Sequence, residues 1–225
     1  MSRRFSRPSA HRAILPALLV TWMGLAAPSA AQPVPADVIG FAPGEDYTLA
    51  SYGPIAEYFE LLAASTDRMI LEGIGQSTRG EPMYVAVISS PENLARLDRD
   101  TQITRTLAYA RDPEVGYPSI LQEERARELA REGKAIVWID GGLHATEVAH
   151  GQVMPEMAYW FVTDESEETR RIRENTILLL MPNMNPDGLN IVADWYMSQV
   201  GGPYETADVP VLYHHYIGHD NNRDW

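Results

Sequence analysis

The chain has 225 residues, 45% of them hydrophobic and 22% charged, with a formal net charge of −13 and no cysteine. That length and composition suit a single soluble globular domain. The acidic balance argues against nucleic acid or anionic membrane partners, both of which need Lys/Arg-rich surfaces, and the lack of cysteine excludes a disulfide framework.

Arg3, Arg4, Arg7 and Arg12 form a basic head, Ala13 to Ala27 an apolar stretch, and Ser29-Ala30-Ala31 a small-residue site before Gln32. This is the layout of a cleavable secretory signal over residues 1–31, and its apolar run is shorter than the ~20 residues a membrane span needs. Arg3-Arg4 invites a twin-arginine reading that Phe5-Ser6 fits poorly. The expectation is a bacterial-type secreted or periplasmic protein with no stable membrane anchor once the signal is removed. Removing four arginines and no acid takes the net charge to −17.

Residues 32–44, rich in Pro, Ala and Gly, read as a tether into a domain spanning 45–225. Tyr52, Ile55, Phe59 and Leu62 recur at helical spacing, and Met69 to Gly75 and Met83 to Ser89 read as strands joined through Ser77-Thr78-Arg79-Gly80. Pro91 to Arg111 and Ile120 to Gly133 read as two charged, half-buried helices, broken apart by Asp112-Pro113 and Tyr117-Pro118. Ala135 to Ile139 and Ile177 to Met181 are continuous apolar runs flanking a helical pattern from Thr146 to Thr163. Apolar runs separated by a helix imply strands buried on both faces of a mainly parallel or mixed sheet flanked by helices, an α/β fold. Ligands of such sheets bind at the carboxyl ends of the strands.

Chemistry-bearing residues collect at those ends. His144 and Glu147, behind Asp140-Gly141-Gly142, place an imidazole and a carboxylate three residues apart where a strand-end loop enters a helix. Zinc takes both donor types, commonly from three protein groups plus a water in catalytic sites. The same spacing also fits a helix-capping loop with Glu147 near the positive helix end. His150 lies three residues further on, but at 3.6 residues per turn its distance from His144 points it away, so it reads as a packed helix residue. Asn185-Pro186-Asp187-Gly188 is by itself a turn signal. In Asp220-Asn221-Asn222-Arg223-Asp224-Trp225 the Arg223 guanidinium is suited to a bidentate grip on a carboxylate. His214, His215 and His219 read as packing among Tyr213 and Tyr216. His-Glu-x-x-His, His-x-x-Glu-His, Gly-x-Ser-x-Gly and a Cys nucleophile are all absent from the sequence.

The succession His144-x-x-Glu147, Asn185-Pro186-Asp187-Gly188, Asp220-x-Asn222-Arg223-x-Trp225 resembles the zinc metallocarboxypeptidases over roughly Gly40 to Trp225, including Phe41-Ala42-Pro43-Gly44. The resemblance implies that His144 and Glu147 are zinc ligands, that Asn222 and Arg223 receive a peptide substrate's terminal carboxylate, and that Asp220 orients His144. It implies zinc-dependent hydrolysis of C-terminal peptide bonds. In the family a third ligand, a His, and a general-base Glu lie on later strands, at positions beyond Trp225, and a carbonyl-polarising Arg usually precedes the Asn-Arg pair. No Arg occurs from Leu189 to Asn222. The chain is therefore expected to be the first part of a longer enzyme and inactive alone. The alternative is an exported module that binds peptide carboxylates without cleaving them.

Overall fold

The computed structural model describes residues 31–111 and 120–211. Helix α1 (Pro35–Ile39) is the first element, Pro35 supplying the fixed φ that suits a first helical position. Residues 32–44 are thus more than a tether: Val38, Ile39 and Phe41 are partly buried against the core. Their short apolar cluster is masked in the composition by the surrounding Pro and Gly.

Helix α2 (Tyr52–Ala64) buries the stripe read from its periodicity, with Tyr52, Ile55, Phe59 and Leu62 fully enclosed. Burial lifts the Tyr52 phenol well above its ordinary pKa, so it stays protonated and donates to the Pro82 carbonyl at 2.7 Å. Strands β1 (Met69–Gln76) and β2 (Pro82–Ile88) form the expected hairpin. At its tip Ser77 N–H donates to the Glu81 carbonyl at 2.9 Å, and Gly80 takes a φ of +92° that only glycine adopts without strain.

The first charged helix is broken in two, α3 (Pro91–Leu94) and α4 (Leu97–Tyr109). Ser90 caps α3 by accepting from the Asn93 amide, and Arg96 leaves helical geometry at φ −114°, ψ 18° before α4 begins. The second is α5 (Glu123–Glu132). Asp100 ties α4 to the segment that leaves α5: fully buried, it accepts from the Lys134 backbone N–H at 3.1 Å and faces Arg96 Nε at 3.1 Å. We expect Asp100→Asn, which keeps the shape but removes the charge from these contacts, to cost about 1–2 kcal/mol in denaturant unfolding.

Lys134 leads into β3 (Ala135–Ile139), followed by α6 (Ala149–Thr163), α7 (Glu167–Asn175), β4 (Thr176–Leu180) and α8 (Pro186–Gln199). The sheet order is β1-β2-β4-β3. β3 and β4 pair in parallel across the α6–α7 crossover, whereas β2 pairs antiparallel with both β1 and β4. The fold is a mixed sheet flanked by helices, the parallel character residing, among the described residues, in the one pairing that carries the strand-end motifs. Its core joins the buried face of α2 to Met154, Ala158 and Val162 of α6 and to Leu178 and Leu180 of β4. Among the described residues no helix is long and apolar enough to cross a membrane.

β4 is buried, as its apolar run implies, but β3 is not. Ile136, Val137 and Trp138 are 41%, 40% and 50% exposed. Among the described residues β3 lies at the sheet edge, and a run of apolar residues states what a strand needs covered without stating what covers it.

Candidate metal centre at the ends of β3 and β4

The loops leaving β3 and β4 continue beside each other past the strand ends. Met181 N–H donates to the Ile139 carbonyl at 2.9 Å, Met184 N–H to Gly141 at 2.8 Å, and Asn185 Nδ2 to Leu143 at 3.3 Å. The tetrapeptide starting at Asn185 is a helix start rather than a free turn. Asn185 is the N-cap of α8, accepting from the Gly188 amide at 3.0 Å, and Pro186 opens the first turn. Asp187 sits in that turn, nearly fully buried, and accepts from Ser77 Oγ at 2.6 Å and from Arg79 N–H at 3.0 Å. One residue of the tetrapeptide thereby ties the hairpin tip to the loops, and Asn190 adds a second tie by donating to Glu81 at 2.9 Å and accepting from the Tyr52 amide at 2.8 Å.

Between Gly142 and α6 the backbone turns in steps of three. Glu147 N–H donates to the His144 carbonyl and His150 N–H to the Glu147 carbonyl, each at 3.3 Å. Side chains three apart nearly eclipse in such turns. His144 Nδ1 consequently lies 2.9 Å from Glu147 Oε2, the His144 side chain 21% exposed and that of Glu147 53%. The two side chains thus approach each other directly from one loop.

The same turns correct the reading of His150. It is exposed rather than packed, and its Nδ1 lies 3.6 Å from the same Glu147 oxygen. The regular helix expected from Thr146 begins only at Ala149, so the 3.6-residue geometry that would swing His150 away does not apply before it. Among the described residues, no group of three His, Asp or Glu side chains has the geometry to hold a metal ion. An imidazole nitrogen and a carboxylate oxygen approaching each other from one loop are donor types that zinc accepts.

Asn183, which belongs to none of the sequence motifs, organises this region. It is 1% exposed, and its Oδ1 accepts from the Asn185 N–H at 2.8 Å. A methyl at Gly142, whose φ is +72°, would lie 1.9 Å from Asn183 Nδ2, and one at Gly151 would lie 2.9 Å from it. The two glycines are there because the amide occupies the space of their side chains. The sequence signal is the glycine at each end of the His144–Glu147 segment, which requires a close neighbour but does not name it. Asp220, Asn222 and Arg223, with His214, His215 and His219, lie outside the described residues.

The zinc carboxypeptidase family profile matches residues 55–225, three quarters of the sequence, and the chain belongs to that family. Among curated proteins no sequence matches significantly. Solved structures similar to the chain include bovine thrombin-activatable fibrinolysis inhibitor in complex with tick carboxypeptidase inhibitor, at 16% identity over 65% of this chain and 34% of that one, with a TM-score of 0.40. Thrombin-activatable fibrinolysis inhibitor alone matches at 16% identity over 74% and 32%, TM-score 0.42. Carboxypeptidase A from Helicoverpa armigera matches at 16% identity over 76% and 33%, TM-score 0.44. The chain spans about a third of the length of these structures.

Proposed function

We propose that the chain is the zinc-gripping part of an exported carboxypeptidase that hydrolyses the C-terminal amide bond of peptides, the rest of the catalytic apparatus belonging to further polypeptide. The observation that carries this reading is the 2.9 Å approach of His144 Nδ1 to Glu147 Oε2 at the end of β3. These two side chains would hold zinc. Zinc bound there supplies a Lewis acid and a water whose pKa falls toward ~7.

The chain's own residues bind and orient. His144 presents Nδ1 toward Glu147, and Asp220 would orient the ring, the role a carboxylate plays beside a zinc-bound imidazole. Asn222 and Arg223 grip the substrate's terminal carboxylate, the planar guanidinium supplying two parallel donors. The secretory signal over residues 1–31 directs the protein to the periplasm or the exterior.

The exposure of β3 supports the need for further polypeptide. Ile136 and Val137 point to opposite faces of the sheet, as successive strand residues do, and both are about two-fifths exposed. A strand carrying apolar side chains on both faces suits the interior of a sheet covered on both sides. A third ligand and a general-base Glu would come with that additional chain.

The test compares residues 31–225 with the full reading frame that contains them, using a reporter peptide with a free or an amidated C-terminus. The longer protein is expected to cleave the free-carboxylate peptide, to lose at least ~10-fold in rate on the amidated one, as a desolvated charged contact worth ~1.5–3 kcal/mol requires, and to stop on addition of a chelator. Residues 31–225 are expected to show no turnover. Turnover by residues 31–225, or equal rates on the two peptides, contradicts the proposal; a full-length protein that holds the free peptide without cleaving it is instead a binding module.

A further inference from the structure

Asn183 stands out among the buried polar groups because it touches both ends of the segment that bears His144 and Glu147 while belonging to neither. Its amide lies against Gly142, where the loop leaves β3, and against Gly151 in the first turn of α6. Its Oδ1 holds the Asn185 N–H at 2.8 Å, and Asn185 in turn donates to the Leu143 carbonyl, one residue before His144. Nδ2 is buried and, among the described residues, has no hydrogen-bond partner. Leaving a buried donor unsatisfied is unfavourable, so an apolar side chain would fill this space at less cost. What an apolar side chain lacks is the acceptor that shapes residues 183–185.

We propose that Asn183 is the positioning residue of the metal-gripping segment: it wedges between Gly142 and Gly151 and, through Asn185, fixes the carbonyl from which His144 projects. The side chain sets the span between the two ends of residues 142–151, and the three-residue turns that eclipse His144 and Glu147 exist only at that span. This rests on the assignment of His144 and Glu147 as zinc donors. The wedge itself is a property of the metal-free chain and can be measured there.

Two variants read it. Asn183→Ala removes both the wedge and the acceptor. Gly151→Ala keeps Asn183 but introduces a methyl 2.9 Å from its Nδ2 and 3.2 Å from Leu189 Cδ2; alanine is also the better helix former, so helix propensity alone favours this variant. Amide hydrogen exchange on metal-free residues 31–225 is the first readout. In both variants the Glu147 and His150 amides should exchange at least tenfold faster than in the parent, while the amides of the β1–β2 pairing stay unchanged. Zinc titration monitored through the His144 imidazole resonances is the second, and half-saturation should move upward by about ten- to a hundredfold, the effect of losing an outer-shell partner.

Parent-like exchange at Glu147 and His150 in Gly151→Ala overturns the inference even if Asn183→Ala fails to fold. Unchanged zinc half-saturation in folded variants of a parent that does bind zinc overturns it as well. A parent in which zinc never perturbs His144 defeats the metal assignment instead, and the exchange experiment still decides whether Asn183 positions the segment.

Discussion

Replacing Asp187 by Ala is expected to lower the unfolding free energy of residues 31–225 by about 3 kcal/mol, since hydrogen bonds to a charged group contribute ~1.5–3 kcal/mol each and this carboxylate makes two. Asp187 is 5% exposed and accepts from Ser77 Oγ and the Arg79 amide. Its loss leaves those donors without their acceptor and removes a negative charge from the first turn of α8, where the helix dipole favours one. Asp187→Asn keeps one acceptor oxygen but loses the other and the charge, so it should cost at least half as much while remaining milder than Asp187→Ala. Urea denaturation of the parent and both variants checks the order. Equal stability of Asp187→Ala and parent would mean that the hairpin tip is held to α8 without this residue.

The second large effect concerns the metal. In the full-length protein Glu147→Gln is expected to weaken zinc binding by more than about 100-fold, exceeding the ~10–100-fold that accompanies loss of an outer-shell group. The substitution exchanges a carboxylate for a neutral amide, a poor zinc donor, without changing shape. His150→Ala sharpens the comparison: although His150 Nδ1 is only 3.6 Å from Glu147, the two-donor assignment gives it no place on zinc, so the loss should not exceed the ~10–100-fold of an outer-shell group and should fall below that of Glu147→Gln. Competition against a chromophoric chelator measures both. A large loss in His150→Ala would make His150 a ligand and require a different donor set.

Much of the fold is legible in the sequence where one periodicity governs the segment. Tyr52, Ile55, Phe59 and Leu62 mark one face of α2, and each is fully buried. The β1–β2 hairpin comes from two β-rich runs around Gly80, which takes the positive φ that its turn requires. Sequence reasoning fails where a local signal has two outcomes or where the partner is distant in the chain. Asn185-Pro186-Asp187-Gly188 is equally a turn and a helix start, and the contacts of Asn185 and Asp187 with Leu143, Ser77 and Arg79 decide for the helix. His150 departs from its expected place because a helical repeat does not hold through the residues before it, which turn in threes.

The candidate site is legible in part for the same reason. His144 and Glu147 carry their chemistry in their own side chains and spacing, so a motif exposes them. Asn183 acts through the shape it gives to residues some 42 positions earlier in the chain, as the reach from Asn185 to Leu143 illustrates, and no local pattern encodes that. The exposure of β3 belongs to a different class again: its residues form the expected strand, and only the assembled sheet shows that Ile136, Val137 and Trp138 lie, among the described residues, at an edge.

The central claim, that His144 and Glu147 together hold zinc, is tested most directly by titrating isotopically labelled residues 31–225 with zinc while monitoring the imidazole nitrogens of every histidine. The expected result is weak, one-to-one binding that perturbs His144 Nδ1 first and disappears in both His144→Ala and Glu147→Gln. Binding that leaves the His144 resonances unmoved, or that survives Glu147→Gln unchanged, would contradict it.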